Sequence, residues 1–177
     1  DYSRAYILGL RKLFPLNKVE ETYIQVNIEL TQLETNFTNT RASQYVWYAH
    51  GQVLQGYTNE GQSIGPGIDP GSNMQTATIT WGKGLKSLGI QLERYVHNND
   101  LFYIAIKDIR AHWVDISLAA LGEWDYKNLL ISTKIGLIRS LNYQYKYLPI
   151  TSGLDQYWIP GQDVYNFQGQ IGISYRF

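Results

Sequence analysis

Tyr165-Asn166-Phe167-Gln168-Gly169-Gln170-Ile171-Gly172-Ile173-Ser174-Tyr175-Arg176-Phe177, the C-terminal run, decides the fold. Its odd positions are aromatic, aliphatic or glycine, and its even positions are polar or glycine. That period of two belongs to a β-strand, whose successive side chains point to opposite faces, one apolar and one polar. The pattern recurs upstream. In 128–147, Leu129, Ile131, Ile135, Leu137 and Leu141, then Tyr143, Tyr145 and Tyr147, oppose Ser132, Lys134, Ser140, Asn142, Gln144 and Lys146, with Arg139 interrupting the apolar row. In 112–126, Val114, Ile116, Leu118, Ala120, Trp124 and Tyr126 oppose Asp115, Ser117, Glu123 and Asp125. In 21–33, Ile24, Val26, Ile28 and Leu30 oppose Gln25, Asn27, Glu29 and Thr31.

Weaker alternation predicts strands at 2–13, 44–57, 74–82 and 86–96, while 102–109 reads equally as strand, helical turn or loop. No segment sustains a 3.6 period, so the chain is all-β, with eight strands, or nine if 102–109 is one. Several segments exceed the roughly 5 to 6 residues usual for globular strands. They suit tilted strands that place about 9 to 11 residues in a bilayer. With Phe177 on the periplasmic side, the connections 58–73, 97–110 and 149–163 fall outside, and 82–86 and 125–128 inside, as outer-membrane barrels require. A middling inner turn at 34–43 and a short outer one at 14–19 do not fit. Rings are expected in two girdles, with Tyr45, Trp47, Trp81, Trp124, Tyr126, Tyr175 and Phe177 at the inner rim and Tyr143, Tyr145, Tyr147, Tyr165 and Phe167 at the outer. A soluble β-sandwich also alternates; strand length and ring position favour the membrane barrel.

Composition narrows the partners. The 177 residues carry 15 Lys+Arg and 15 Asp+Glu, a net charge of zero without a basic block, which removes the footprint of a nucleic-acid binder. Charged residues are 17% and aromatics 14% of the chain, a surface poor in charge and rich in rings. With no Cys, disulfides, thiol catalysis and Cys-based zinc sites are excluded. No apolar run reaches the roughly 18 residues of a spanning helix.

The chain resembles the C-terminal part of the capsule assembly Wzi family of outer-membrane β-barrels. The segments that carry the resemblance are 1–9 (DYSRAYILG), 48–52 (YAHGQ) with the Gly-rich stretch 61–67, 93–100 (ERYVHNND), 112–115 (HWVD) and 139–143 (RSLNY). Tyr175-Arg176-Phe177 is similar to the aromatic C-terminal assembly signal of such barrels, with Tyr175 and Phe177 its rings. The resemblance implies residence in the bacterial outer membrane, contact with outer-membrane lipid and lipopolysaccharide, and a non-enzymatic role in attaching or assembling surface polysaccharide, or as an accessory subunit beside other outer-membrane proteins. It also implies a barrel larger than this chain supplies, so 1–177 reads as one barrel unit, the C-terminal portion of a larger one. A porin-like diffusion channel and a soluble lipocalin-like carrier are the competing readings.

Two groups of residues are candidates for ligand contact. Arg94, His97, Asn98, Asp100, Arg110 and Trp113 gather guanidinium, amide, carboxylate and ring near the predicted outer mouth, a chemistry that suits hydroxyl-rich sugars; turn formation accounts equally for Asn98-Asn99-Asp100. Trp113 and Asp115 share a face by alternation. Tyr48, His50 and Gln52 form the second group, a lumen hydrogen-bonding cluster on 44–57. Mixed signs on the polar face, Glu29, Glu93, Asp115 and Glu123 against Lys134, Lys146 and Arg176, point to internal ion pairing. No G-x-S-x-G or H-E-x-x-H occurs and the three His are widely spaced, so neither catalytic residues, nor a metal, nor a cofactor is expected.

Overall fold

The computed structural model describes residues 5–34, 48, 58–60, 62–65, 67–103, 111–146 and 162–176. Within them, seven strands form one antiparallel sheet: β1 Tyr6–Asn17, β2 Thr22–Gln32, β5 Asn73–Lys83, β6 Lys86–Val96, β7 Val114–Tyr126, β8 Leu129–Leu141 and β9 Val164–Tyr175. A separate small hairpin pairs β3 Thr58–Asn59 with β4 Gln62–Ser63. The large sheet is a meander in chain order, β1-β2-β5-β6-β7-β8-β9, and no ladder joins its edges β1 and β9 among the described residues. Pro15 is tolerated in β1 because that strand is an edge, and the register shifts beside it, between Pro15 and Asn17.

Alternation converts directly into two unlike faces. Leu10, Ile28, Ala77, Leu92, Leu118, Leu137 and Phe167 lie opposite one another in an unbroken row across all seven strands. Apart from the small Ala77, the side chains of this row are 39 to 74% exposed, so no core covers that face. The other face is polar and concave: a cavity of about 390 Å³ takes Arg11, Gln25, Thr80, Ser87, Glu123, Lys134 and Gln170, one from each strand, into its lining. The sheet therefore curls until both edges border one cavity. On this face the Tyr23 ring lies over Gly82, its cross-strand partner, in the space a side chain there would fill.

Burial is concentrated at one end. Leu33, Ile68, Val96, Phe102 and Ala111 are buried there, together with Ser72, His97, Asn99, Asp100, Asn142 and Gln162. Among the described residues the opposite end has tight turns. At 18–21, Asn17 Oδ1 accepts from the Val19 and Glu20 amides at 2.9 and 3.3 Å, and Glu21 takes φ 52. At 84–85, Gly84 takes φ 58, as a two-residue hairpin loop with glycine first requires. At 127–128, Lys127 takes φ 55, and the Arg176 amide donates to the Asn128 carbonyl at 2.8 Å.

This sheet corrects several sequence expectations. Strand 2–13 runs on to Asn17, and the turn after it lies at the same end as 84–85 and 127–128. β2 pairs with β5 and ends at the opposite end of the sheet, so the two misfits in the inside–outside sorting disappear; residues 35–43 lie outside the described residues. The predicted strand 44–57 lies outside the described residues apart from Tyr48, which sits in a turn at φ 63. The strand predicted over 128–147 stops at Leu141, because Asn142 adopts the left-handed conformation at φ 50 and the chain turns through Tyr143–Tyr145. Tyr143 and Tyr145 therefore leave the girdle row. The segment 102–109 opens with Phe102 and Tyr103 at the end of a short helical turn, and the rest of it is outside the described residues.

Candidate functional site

The end of β6 and the start of β7 set the site's first layer. Tyr95 pairs with Asp115 in the ladder, and the His97 amide donates to the Trp113 carbonyl at 3.1 Å, extending the ladder past both strand ends. Alternation then puts Tyr95, His97, Trp113 and Asp115 on the polar face together. The His97 ring stacks on Trp113 at 3.7 Å and 13° and meets Tyr95 at 4.1 Å. Asp115 binds both: its Oδ2 lies 2.9 Å from His97 Nε2, and its Oδ1 accepts from Trp113 Nε1 at 3.2 Å. The Ser140 hydroxyl, from β8, bonds the same carboxylate.

Tyr143 and Tyr145 present their edges to Trp113 at 5.5 and 5.6 Å. The Tyr145 hydroxyl donates to the carbonyls of His97 and Asn98, at 2.9 and 3.3 Å. Burial, with the nearby Tyr95 and Asp69 adding to it, pushes the Tyr145 phenol from 10.0 up to about 12, so the donor keeps its proton well above neutral pH.

A second layer ties the segment before β5 to the segment after β6. Glu34 Oε2 accepts from the side-chain amides of Asn73 and Asn99, each at 2.6 Å. The Asn98 amide donates to Ser72 Oγ at 3.0 Å, and the Asn99 amide to the Gly71 carbonyl at 2.7 Å. Gly71 is required here: it stands at φ 72, and a side chain would press on Asn98 Oδ1 and Asp100 Oδ2. Asp69 and Tyr95 exchange hydrogen bonds, at 2.9 Å from the Asp69 amide and 3.1 Å to its carboxylate. On the far side, the Asn142 side-chain amide donates to the His112 carbonyl at 3.1 Å, and Gln162 Nε2 donates to Asn142 Oδ1. The described parts of the three inter-strand connections at this end are thus cross-bonded.

The residues expected to bind ligand divide accordingly. His97 and Trp113 come together as part of the packed cluster, with Asn98 and Asp100 beside them. Asn98 caps a short helical turn by accepting from the Leu101 amide at 3.0 Å. Arg94 is not with them: it projects from the apolar face and donates to Gln75 across the ladder at 2.8 Å. Arg110, His50 and Gln52 lie outside the described residues, as does Phe177. Tyr48 lies with its ring against Gly65. Tyr175 is exposed on the apolar face. Of the expected polar-face pairings, Arg176 meets Asp125, whereas Lys146 lies over the Tyr143 ring at 5.7 Å.

Sequence reading missed Glu34, Ser72, Asn142 and Tyr145. Asn142 carried a signal, since asparagine directly after an apolar run favours the left-handed stop found here.

Chemically the cluster is a clamp. Ser140 bonds the carboxylate rather than the imidazole, and His97 Nδ1 is buried without a hydrogen-bond partner, so no nucleophile–base–acid relay is assembled. Among the described residues no group of His, Asp and Glu converges as a metal site. Comparison with family models, with curated proteins and with solved structures finds no match.

Proposed function

We propose that the chain forms the wall of an outer-membrane β-barrel, its apolar face in lipid and its cross-bonded connections at the cell surface, with a non-enzymatic role in holding surface polysaccharide. The observation that carries the reading is the exposed apolar row across seven strands, backed by a concave polar face. In water such a face is an aggregation surface; in hydrocarbon it is the required one. Strands of 11 to 13 residues are also long enough. At about 3.3 Å per residue and a tilt of about 40° they rise roughly 30 Å, one hydrocarbon thickness. Phe14, Trp81, Trp124, Tyr126 and Tyr175 lie toward the tight-turn end and Tyr6, Tyr165 and Phe167 toward the other, with mostly aliphatic residues, and Lys12 of the edge strand, between, as interfacial girdles would be placed. No helix among the described residues is long and apolar enough to cross a membrane.

The surface role rests on the loop end, where amides and carboxylates lie beside rings in a fixed arrangement suited to hydroxyl-rich ligands. A diffusion channel is the second reading, favoured by the polar cavity between Arg11, Glu123 and Lys134.

The absence of cysteine makes the test clean. Single cysteines carrying spin labels at Ile90, Leu118 and Ile171 should collide with oxygen dissolved in lipid, while labels at Gln91, Ser117 and Gln170 should respond to a water-soluble relaxant. Equal accessibility of the two sets would remove the membrane reading.

A further inference from the structure

The carboxylates of the long strands are confined to one face, while cations stand on both, Arg11 and Lys134 among them on the polar side. Every strand carboxylate, Glu29, Glu93, Asp115, Glu123 and Asp125, lies on the polar face, whereas the apolar face carries only cations: Lys12, Lys83, Lys86, Arg94 and Arg139. Lys83 and Lys86 stand beside the turn at one end of the sheet, and Arg94 and Arg139 at the end of the long connections. Solubility would call for both signs on an exposed face. Lys12 stands within the apolar band, in the row of Val26, Ile79 and Ile90, and Lys83 is paired with Glu20 at 3.5 Å, whereas the two guanidinium groups at the loop-end margin match anionic lipid headgroups.

One place on this face has the shape of a site. An apolar groove of about 420 Å³ runs between β5 and β6, lined by Ala77, Ile79, Trp81, Leu88, Ile90 and Leu92. The next outward-facing pair along the same ladder is Gln75–Arg94, so the guanidinium stands at the groove's loop-end mouth. Arg94 is exposed and held by the neutral Gln75 oxygen, and among the described residues it has no carboxylate partner. Arg139 follows in the same cross-strand row, with Ile116 between them, about 10 Å away at two inter-strand spacings. Its charge is shared with Asp163 at 3.9 Å and the Tyr165 face at 5.9 Å, which leaves Arg94 as the principal cation.

Resting on the membrane reading above, we propose that this groove and Arg94 form a binding site for a phosphorylated glycolipid of the outer leaflet. An acyl chain would lie along Ala77, Ile79 and Ile90, and a headgroup phosphate would accept a forked pair of hydrogen bonds from Arg94. Arg139 is the second cation within reach of the same headgroup.

The full chain, folded into phosphatidylcholine vesicles containing a minor fraction of lipopolysaccharide, is extracted in mild detergent, and the glycolipid retained per protein is measured. The wild type should retain it, and should retain the dephosphorylated form about fivefold less, the factor expected for one cation at a headgroup. Arg94→Gln should lower retention of the phosphorylated form by a similar factor, while Lys134→Gln, which alters a charge on the polar face, should leave it unchanged. Equal retention of the two glycolipids by the wild type, or undiminished retention by Arg94→Gln, overturns the lipid site but leaves the chain in the membrane. Failure of the chain to enter any vesicle overturns the membrane reading and the site together.

Discussion

Leu118→Arg should cost about 2–4 kcal/mol of folding stability in a bilayer, while Ser117→Arg, one residue earlier, should cost little. Leu118 is the fifth of the thirteen residues of β7 and is 53% exposed, in the row that crosses all seven strands. In lipid a guanidinium there has neither water nor a counter-ion, and its neighbours in the row, Leu92 and Leu137, offer no acceptor. Ser117 faces the polar side opposite Glu93, so an arginine there gains a carboxylate. For a water-soluble sheet the ranking reverses, because Leu118→Arg would remove exposed apolar surface and improve solubility. Reversible urea unfolding of both variants in the same vesicles decides between these outcomes. The size of the difference matters as much as its sign, since a surface substitution in water is usually worth no more than about 0.5 kcal/mol.

How much was legible in the chain follows from what a period of two reports. It reports faces, and the faces predicted for 21–33, 112–126 and 164–177 are those of β2, β7 and β9. It does not report where a strand stops, which is why 128–147 was read through Asn142: Tyr143, Tyr145 and Tyr147 keep the alternation although the backbone has already turned. Nor does it report neighbours. Nothing in 34–57 announces that β2 pairs with β5, so the inside–outside sorting of the connections was consistent only once that register was seen.

The candidate site was legible to a similar depth. Spacing alone put Trp113 and Asp115 on one face. The same parity places Arg94 opposite them, among Leu88, Ile90 and Leu92, because three residues along a strand bring a side chain close to His97 in sequence but onto the other face. Long-range partners such as Glu34 for Asn99, or Tyr145 for the His97 carbonyl, leave no local signature at all.

Asp115→Ala should destabilise the loop end by about 3 kcal/mol, far more than Glu123→Ala on the same face of the same strand. The Asp115 side chain is 22% exposed and holds three donors at once, on His97, Trp113 and Ser140. Its removal leaves the His97 ring, 10% exposed, and the Trp113 indole without their acceptor, and each buried group left unpaired costs about 1–3 kcal/mol. Partial solvation of the carboxylate keeps the total below a simple sum of those penalties. Asp115→Asn keeps one acceptor and should cost about 1 kcal/mol, the net worth of a single hydrogen bond. Glu123 is exposed and among the described residues accepts from Ser87 alone, at 3.2 Å, so its loss should be near 0.5 kcal/mol. Limited proteolysis gives the spatial half of the result. With Asp115→Ala, cleavage should accelerate within 97–103 and 142–146, whose carbonyls and rings depend on the stack of His97 and Trp113, while the turns at 84–85 and 127–128 stay as resistant as in the wild type. Equal destabilisation by Asp115→Ala and Glu123→Ala, or cleavage rising evenly at both ends, would mean that the loop end is not clamped through Asp115. A ligand-facing surface there would then have to be ordered by its ligand, not presented ready-made.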